Sequence, residues 1–107
     1  MEEIRMPIYC LLTTLTNEGR KSVKKSPGRI WEVNKEVERM GAKVVSQYKT
    51  LGPYDFVNII EAANMGVISR VVIEICSRGT IEPMLMGAMT IEDFVKEIQT
   101  ANAQSNG

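Results

Sequence analysis

Residues 43–62 read KVVSQYKTLGPYDFVNIIEA, and this stretch decides the fold. From Lys43 to Leu51 the side chains alternate. Val44, Ser46, Tyr48 and Thr50 fall on one face, and Val45, Gln47, Lys49 and Leu51 on the other, which is the period of a strand. Gly52-Pro53 is a turn signal, and Tyr54 to Ala62 is a second strand rich in Phe56, Val57, Ile59 and Ile60. So short a connection predicts a hairpin in the middle of the chain.

On the N-terminal side, Met6 to Leu15 is apolar, with aromatic and β-branched members, and predicts a strand buried on both faces. Thr16-Asn17-Glu18-Gly19 offers capping residues before a short polar stretch. Ser26-Pro27 reads as a helix start, with serine as the cap and proline in the first turn. Ile30, Val33, Val37 and Met40 then mark one buried helical face, and Gly41 ends the helix. On the C-terminal side, Asn64 caps a second helix whose inner face is Ile68, Val71, Val72 and Ile75, closed by Gly79. Thr80 to Met89 is a fourth strand. Thr90-Ile91-Glu92-Asp93 opens a last helix with the stripe Ile91, Phe94, Val95 and Ile98. The order β-α-β-β-α-β plus a C-terminal helix predicts an α+β, ferredoxin-like domain with a four-stranded antiparallel sheet. That domain spans residues 1–100, and 101–107 form a flexible tail.

The balance of 107 residues excludes much chemistry. Thirteen Lys and Arg offset thirteen Asp and Glu, which argues against nucleic acid or an anionic membrane as partner. The cluster Arg20, Lys21, Lys24, Lys25 and Arg29 has no interleaved aromatic and reads as a solvated helical face. No histidine is present, which removes histidine-based triads and the usual zinc and iron sites. Cys10 and Cys76 sit in apolar sequence and read as buried thiols; no metal and no cofactor is expected, and no Gly-rich phosphate loop occurs. Glu2 and Glu3 before the first apolar run argue against a signal peptide, so the expected location is the cytoplasm.

A ferredoxin-like sheet has one open face, and a solvated face would give clean apolar–polar alternation. The strands do not comply: Ile8, Cys10 and Leu12 oppose Tyr9 and Leu11, Phe56 and Ile60 oppose Val57 and Ile59, and Met84 and Met86 oppose Leu85 and Met89. Both faces are therefore covered. The last helix shields part of the second face, and a second copy packed sheet to sheet covers the rest, which makes the chain a homodimer.

The run Thr50-Leu51-Gly52-Pro53-Tyr54-Asp55-Phe56-Val57, preceded by Gly41-Ala42-Lys43-Val44, resembles the GYD domain family, whose mark is a glycine, a variable residue, then Tyr-Asp. The similarity extends to Met6-Pro7-Ile8-Tyr9, Thr16-Asn17-Glu18-Gly19-Arg20, Glu61-Ala62 and Arg78-Gly79-Thr80, over residues 6 to 95. It implies a ferredoxin-like fold of the dimeric α+β-barrel type and no settled biochemical activity. Ala63-Asn64-Met65-Gly66 departs from the acidic continuation of relatives.

Tyr54 and Asp55 are a candidate acid/base or ligand-orienting pair; the structural alternative has Asp55 accepting backbone N–H bonds while Tyr54 packs. Asn58 interrupts an apolar strand, and as a buried amide it requires either a cross-strand partner or a ligand. With Gly52, Tyr48 and Tyr9, these residues form the candidate ligand-binding set, beside Ser46, Gln47 and Glu61 on the same hairpin. The expected function is non-catalytic binding of a small molecule or partner protein at a sheet-face cavity. The alternative is a cofactor-free enzyme, an oxygenase, isomerase or decarboxylase, using Tyr9, Tyr48, Tyr54, Asp55 and Glu61.

Overall fold

The computed structural model describes residues 6–105; Glu2 and Glu3, used above against a signal peptide, and the end of the expected tail at 106–107 lie outside the described residues. Strand β1 (Ile8–Leu15) is followed by helices α1 (Asn17–Lys25) and α2 (Arg29–Arg39), the hairpin β2 (Ala42–Lys49) and β3 (Phe56–Ala62), helix α3 (Met65–Cys76), strand β4 (Ile81–Ala88) and helix α4 (Ile91–Ser105). The strands form one sheet in the order β2-β3-β1-β4, and every neighbouring pair is antiparallel. This is the ferredoxin-like arrangement, with α1 as an addition to the predicted plan.

The register assigns the two faces. Leu11 stands opposite Asn58 and Leu85, and Tyr9 opposite Ile60 and Gly87. These residues face the helices. Tyr9, Leu11, Ile60 and Ala62 join Val37, Ile68, Val71, Val72 and Ile75 in a single core. The stripe Ile68, Val71, Val72 and Ile75 buries as its spacing requires. Gly41 leaves α2 at φ +96, a conformation in which a side chain would strain the backbone.

Four readings of the sequence require correction. Helix α1 occupies the stretch read as merely polar. Thr16 caps it, its hydroxyl accepting from the Gly19 amide at 3.0 Å. Val23 is its one large apolar residue, so no stripe announces it. Its packing depends on Gly19, where a Cβ would stand 1.9 Å from the Thr80 carbonyl oxygen.

Ser26-Pro27, secondly, does not cap α2. The Ser26 amide closes α1 by donating to the Ser22 carbonyl, and Gly28 is the α2 cap, with no side-chain bond. The carbonyls of Ser26 and Pro27 accept from Arg29 and Ile30 instead.

Strand β2, thirdly, carries a bulge: Val44 pairs with Ile60 and Ser46 with Ile59, leaving Val45 as the extra residue. Beyond it the alternation inverts, so Gln47 joins Val44 on the helix side and Tyr48 turns to the open side.

Helix α4, finally, does not shield the open sheet face. It leaves the body after Thr90 and every one of its residues is exposed, including Ala101 to Ser105, which are helical where a loose tail was expected. The chain measures 60 × 32 × 20 Å in consequence.

Candidate functional site

The Gly52–Asp55 loop is held by bonds of its own. Gly52 has φ +131, which glycine alone adopts comfortably. The Asp55 carboxylate accepts from the Leu15 amide at 2.7 Å and lies 3.7 Å from the Lys49 ammonium. The Asp55 amide donates to the Thr13 carbonyl, and the Tyr54 carbonyl accepts from the Thr50 hydroxyl. Asp55 thus joins the hairpin to the end of β1, forty residues away in sequence. Tyr54 is half-buried, and neither residue reaches the cavity described below.

The open sheet face is apolar, as the strand pattern requires. Cys10 stands between Ile59 and Met86, and Leu12 between Val57 and Met84. Met84 and Met86 remain 46% and 43% exposed, and Tyr48 is exposed at the opposite edge of the sheet, on β2. Cys10 and Cys76, expected to be buried thiols, are half-buried. Burial, and then the charge of Glu82, pushes the Cys76 thiol above its ordinary value.

The outward face of α4 is a third feature. Ile91, Phe94, Val95 and Ile98 follow the spacing i, i+3, i+4, i+7, so they share one side of the helix. Phe94 is 50% exposed and Ile91 72%. The Thr90 hydroxyl accepts from the Asp93 amide, closing the N-terminal cap that the sequence announces.

A cavity of about 170 Å³ lies between the helix-side face of the sheet and helices α1 and α2. Its walls are apolar, with Leu15, Ile30, Val33, Phe56, Ile60 and Ile81 contributing. Its polar lining consists of the hydroxyl residues Thr13, Ser22, Ser26 and Thr80 and of three carboxamides, besides the arginines described below. Asn34 and Gln47 exchange hydrogen bonds at 2.9 and 3.3 Å, and the Gln47 Nε2 donates to Asn58 Oδ1 at 2.8 Å. Asn58 Nδ2 donates to the Leu11 carbonyl at 2.8 Å. The cross-strand partner expected for Asn58 is thus present, in a relay that spans α2, β2, β3 and β1.

Two arginines reach this cavity. Arg29 pairs with Glu32 at 3.4 Å; Arg78 bonds the Glu36 carboxylate and lies 3.9 Å from that of Glu74. The Arg78 hydrogen bond holds Glu36 below the ordinary carboxylate range. No carboxylate, phenol or thiol lines the cavity among the described residues.

Of the candidate set, Asn58 therefore lines the cavity, Tyr48 belongs to the open face, and Gly52, Tyr54 and Asp55 belong to the loop. Tyr9 lies in the core on the helix side, 8% exposed. The structure does not bring the six together. Asn34, Arg29 and Arg78 were missed as cavity residues. Asn34 left a signal, since it falls within the apolar face of Ile30, Val33 and Val37. Among the described residues no helix is long and apolar enough to cross a membrane.

Residues 9–98 match the family described as GYD domain. A protein of Thermus thermophilus described as "glutamine synthetase and cystathionine beta-lyase binding protein" is 41% identical over 95 residues, covering 88% of this chain and all of that protein. The fold is also similar to the crystal structure of TTHA0845 from Thermus thermophilus, with a TM-score of 0.52 at 18% identity, over 79% of this chain and 95% of that one. At that identity the likeness concerns fold alone.

Proposed function

The chain belongs to the GYD domain family, and on that footing we propose that it is a non-catalytic binding protein that pairs with a second copy and captures a partner enzyme. The open sheet face serves the pairing, and α4 serves the capture, in the cytoplasm where metabolic enzymes are met. The relative's description, as a protein that binds glutamine synthetase and cystathionine beta-lyase, supports glutamine synthetase as the first partner to examine.

The observation that carries the reading is α4. A fifteen-residue helix with no buried residue gains nothing from its own body, yet it carries an ordered apolar stripe. Most helical stability in proteins comes from packing such a face. The spacing of Ile91, Phe94, Val95 and Ile98 matches the anchors of a helix laid into a groove of another protein. The cavity supports binding over turnover, because its lining offers hydrogen-bonding amides and no side chain suited to general acid/base work.

The test is biosensor binding of glutamine synthetase from the same organism to the immobilised chain. Wild type binds, and Phe94→Asp with Ile98→Asp weakens binding by about a hundredfold, as expected when central anchors are lost. Failure of the wild type to bind, or equal binding by the double variant, overturns the reading.

A further inference from the structure

We propose that the cavity between the sheet and helices α1 and α2 binds a compact uncharged amphiphile, a body about the size of a benzene ring carrying one amide or hydroxyl head. The assignment goes beyond the capture of a partner by α4 and uses none of the same residues.

Size sets the first bound. An apolar protein cavity of roughly 150 Å³ accepts benzene, and this one measures about 170 Å³. The cavity is partly open to solvent, so this volume bounds the part of a ligand that the walls enclose. The walls set the second bound, since Leu15, Ile30, Val33, Phe56, Ile60 and Ile81 form an apolar surface that favours hydrocarbon, while the hydroxyl residues Thr13, Ser22, Ser26 and Thr80 line other parts of the cavity.

The polar wall sets the chemistry of the head group. The Asn34–Gln47–Asn58 relay is neutral, and its bonds leave one N–H of Asn34 and one of Asn58 with no acceptor among the described residues. Each carboxamide oxygen also keeps capacity for a second donor. A surface that both gives and takes hydrogen bonds suits an amide or a hydroxyl, which do the same.

A carboxylate fits less well. It would need a free cation, and Arg29 and Arg78 are already paired with Glu32, Glu36 and Glu74.

The bulge is a second, independent observation. Without the extra residue Val45, Gln47 would face the open side of the sheet and Tyr48 the helices. The bulge places an amide opposite Asn58 at the cavity wall, in the manner by which bulges re-aim side chains beside binding sites.

The experiment is titration of the full chain with benzamide and with benzoate, followed by NMR. Benzamide at millimolar concentration shifts the side-chain NH2 signals of Asn34, Gln47 and Asn58 and the methyls of Val33 and Ile60. It binds about tenfold more tightly than benzoate, a difference of about 1.4 kcal/mol. Val33→Trp, with its fold verified by circular dichroism, fills the cavity and abolishes the shifts. If benzamide leaves these signals in place in the wild type, moves only signals of the open face or α4, or binds no better than benzoate, the proposal is overturned. The wild-type titration decides the matter even if Val33→Trp does not fold. Failure of the chain to capture glutamine synthetase would leave these results unaffected.

Discussion

Asp55 shows how a conspicuous residue can be committed to structure. Its carboxylate takes the Leu15 amide at 2.7 Å and faces the Lys49 ammonium, so the loop that carries the Gly-x-Tyr-Asp mark is fastened to β1. Asp55→Ala leaves a part-buried amide without its acceptor, and we expect a loss of about 1–3 kcal/mol in urea unfolding. Asp55→Asn keeps an acceptor oxygen and loses less. Capture of a partner through α4 is unchanged in both. An alanine variant as stable as wild type would mean that the bond contributes nothing. Asn58 was the more legible residue, because an amide inside Phe56, Val57, Ile59 and Ile60 demands partners, and it has them in Leu11 and Gln47. The identity of the second partner could not be read from alternation, since it depends on an insertion in β2.

The elements divide by how much of their stability comes from an apolar face. Helices α2 and α3 and the four strands carry regular apolar patterns, and the sequence placed all six to within a few residues. Helix α1 does not carry one: its position depends on the Thr16 cap and on the close approach of Gly19 to Thr80, neither of which leaves a periodic mark. The bulge at Val45 is equally silent, because a strand with apolar residues on both faces reads the same in either register. Helix α4 was announced by its stripe, but no pattern within one chain tells whether such a stripe packs on its own body. Its exposure yields a sharp expectation: a chain ending at Met89 retains the core of Leu11, Ile60, Ile68 and Val71 and melts within about 2 °C of the full chain, since surface changes lie within about 0.5 kcal/mol. A thermal melt by circular dichroism measures this. A drop of ten degrees or more would place α4 against the body.

At the scale of the whole molecule, two features set this chain apart from a self-sufficient domain. Its radius of gyration is 16.8 Å, against about 13 Å for a compact domain of roughly this length, and the projecting α4 accounts for the excess. The cavity of about 170 Å³ between the sheet and helices α1 and α2 is the second feature, since it is partly open to solvent and leaves part of its apolar lining uncovered. A ligand of fitting size would gain by covering that apolar surface.

The open face joins these as a third surface. Cys10, Leu12, Val57, Ile59, Met84 and Met86 form one contiguous apolar area across three strands, of the kind that marks a protein contact. If that face is a contact between copies, the purified chain is a pair in solution. The light-scattering mass of wild type at micromolar concentration therefore tests the account most directly. Twice the 12.0 kDa chain mass is the predicted result, and a mass of one chain throughout the micromolar range would contradict it.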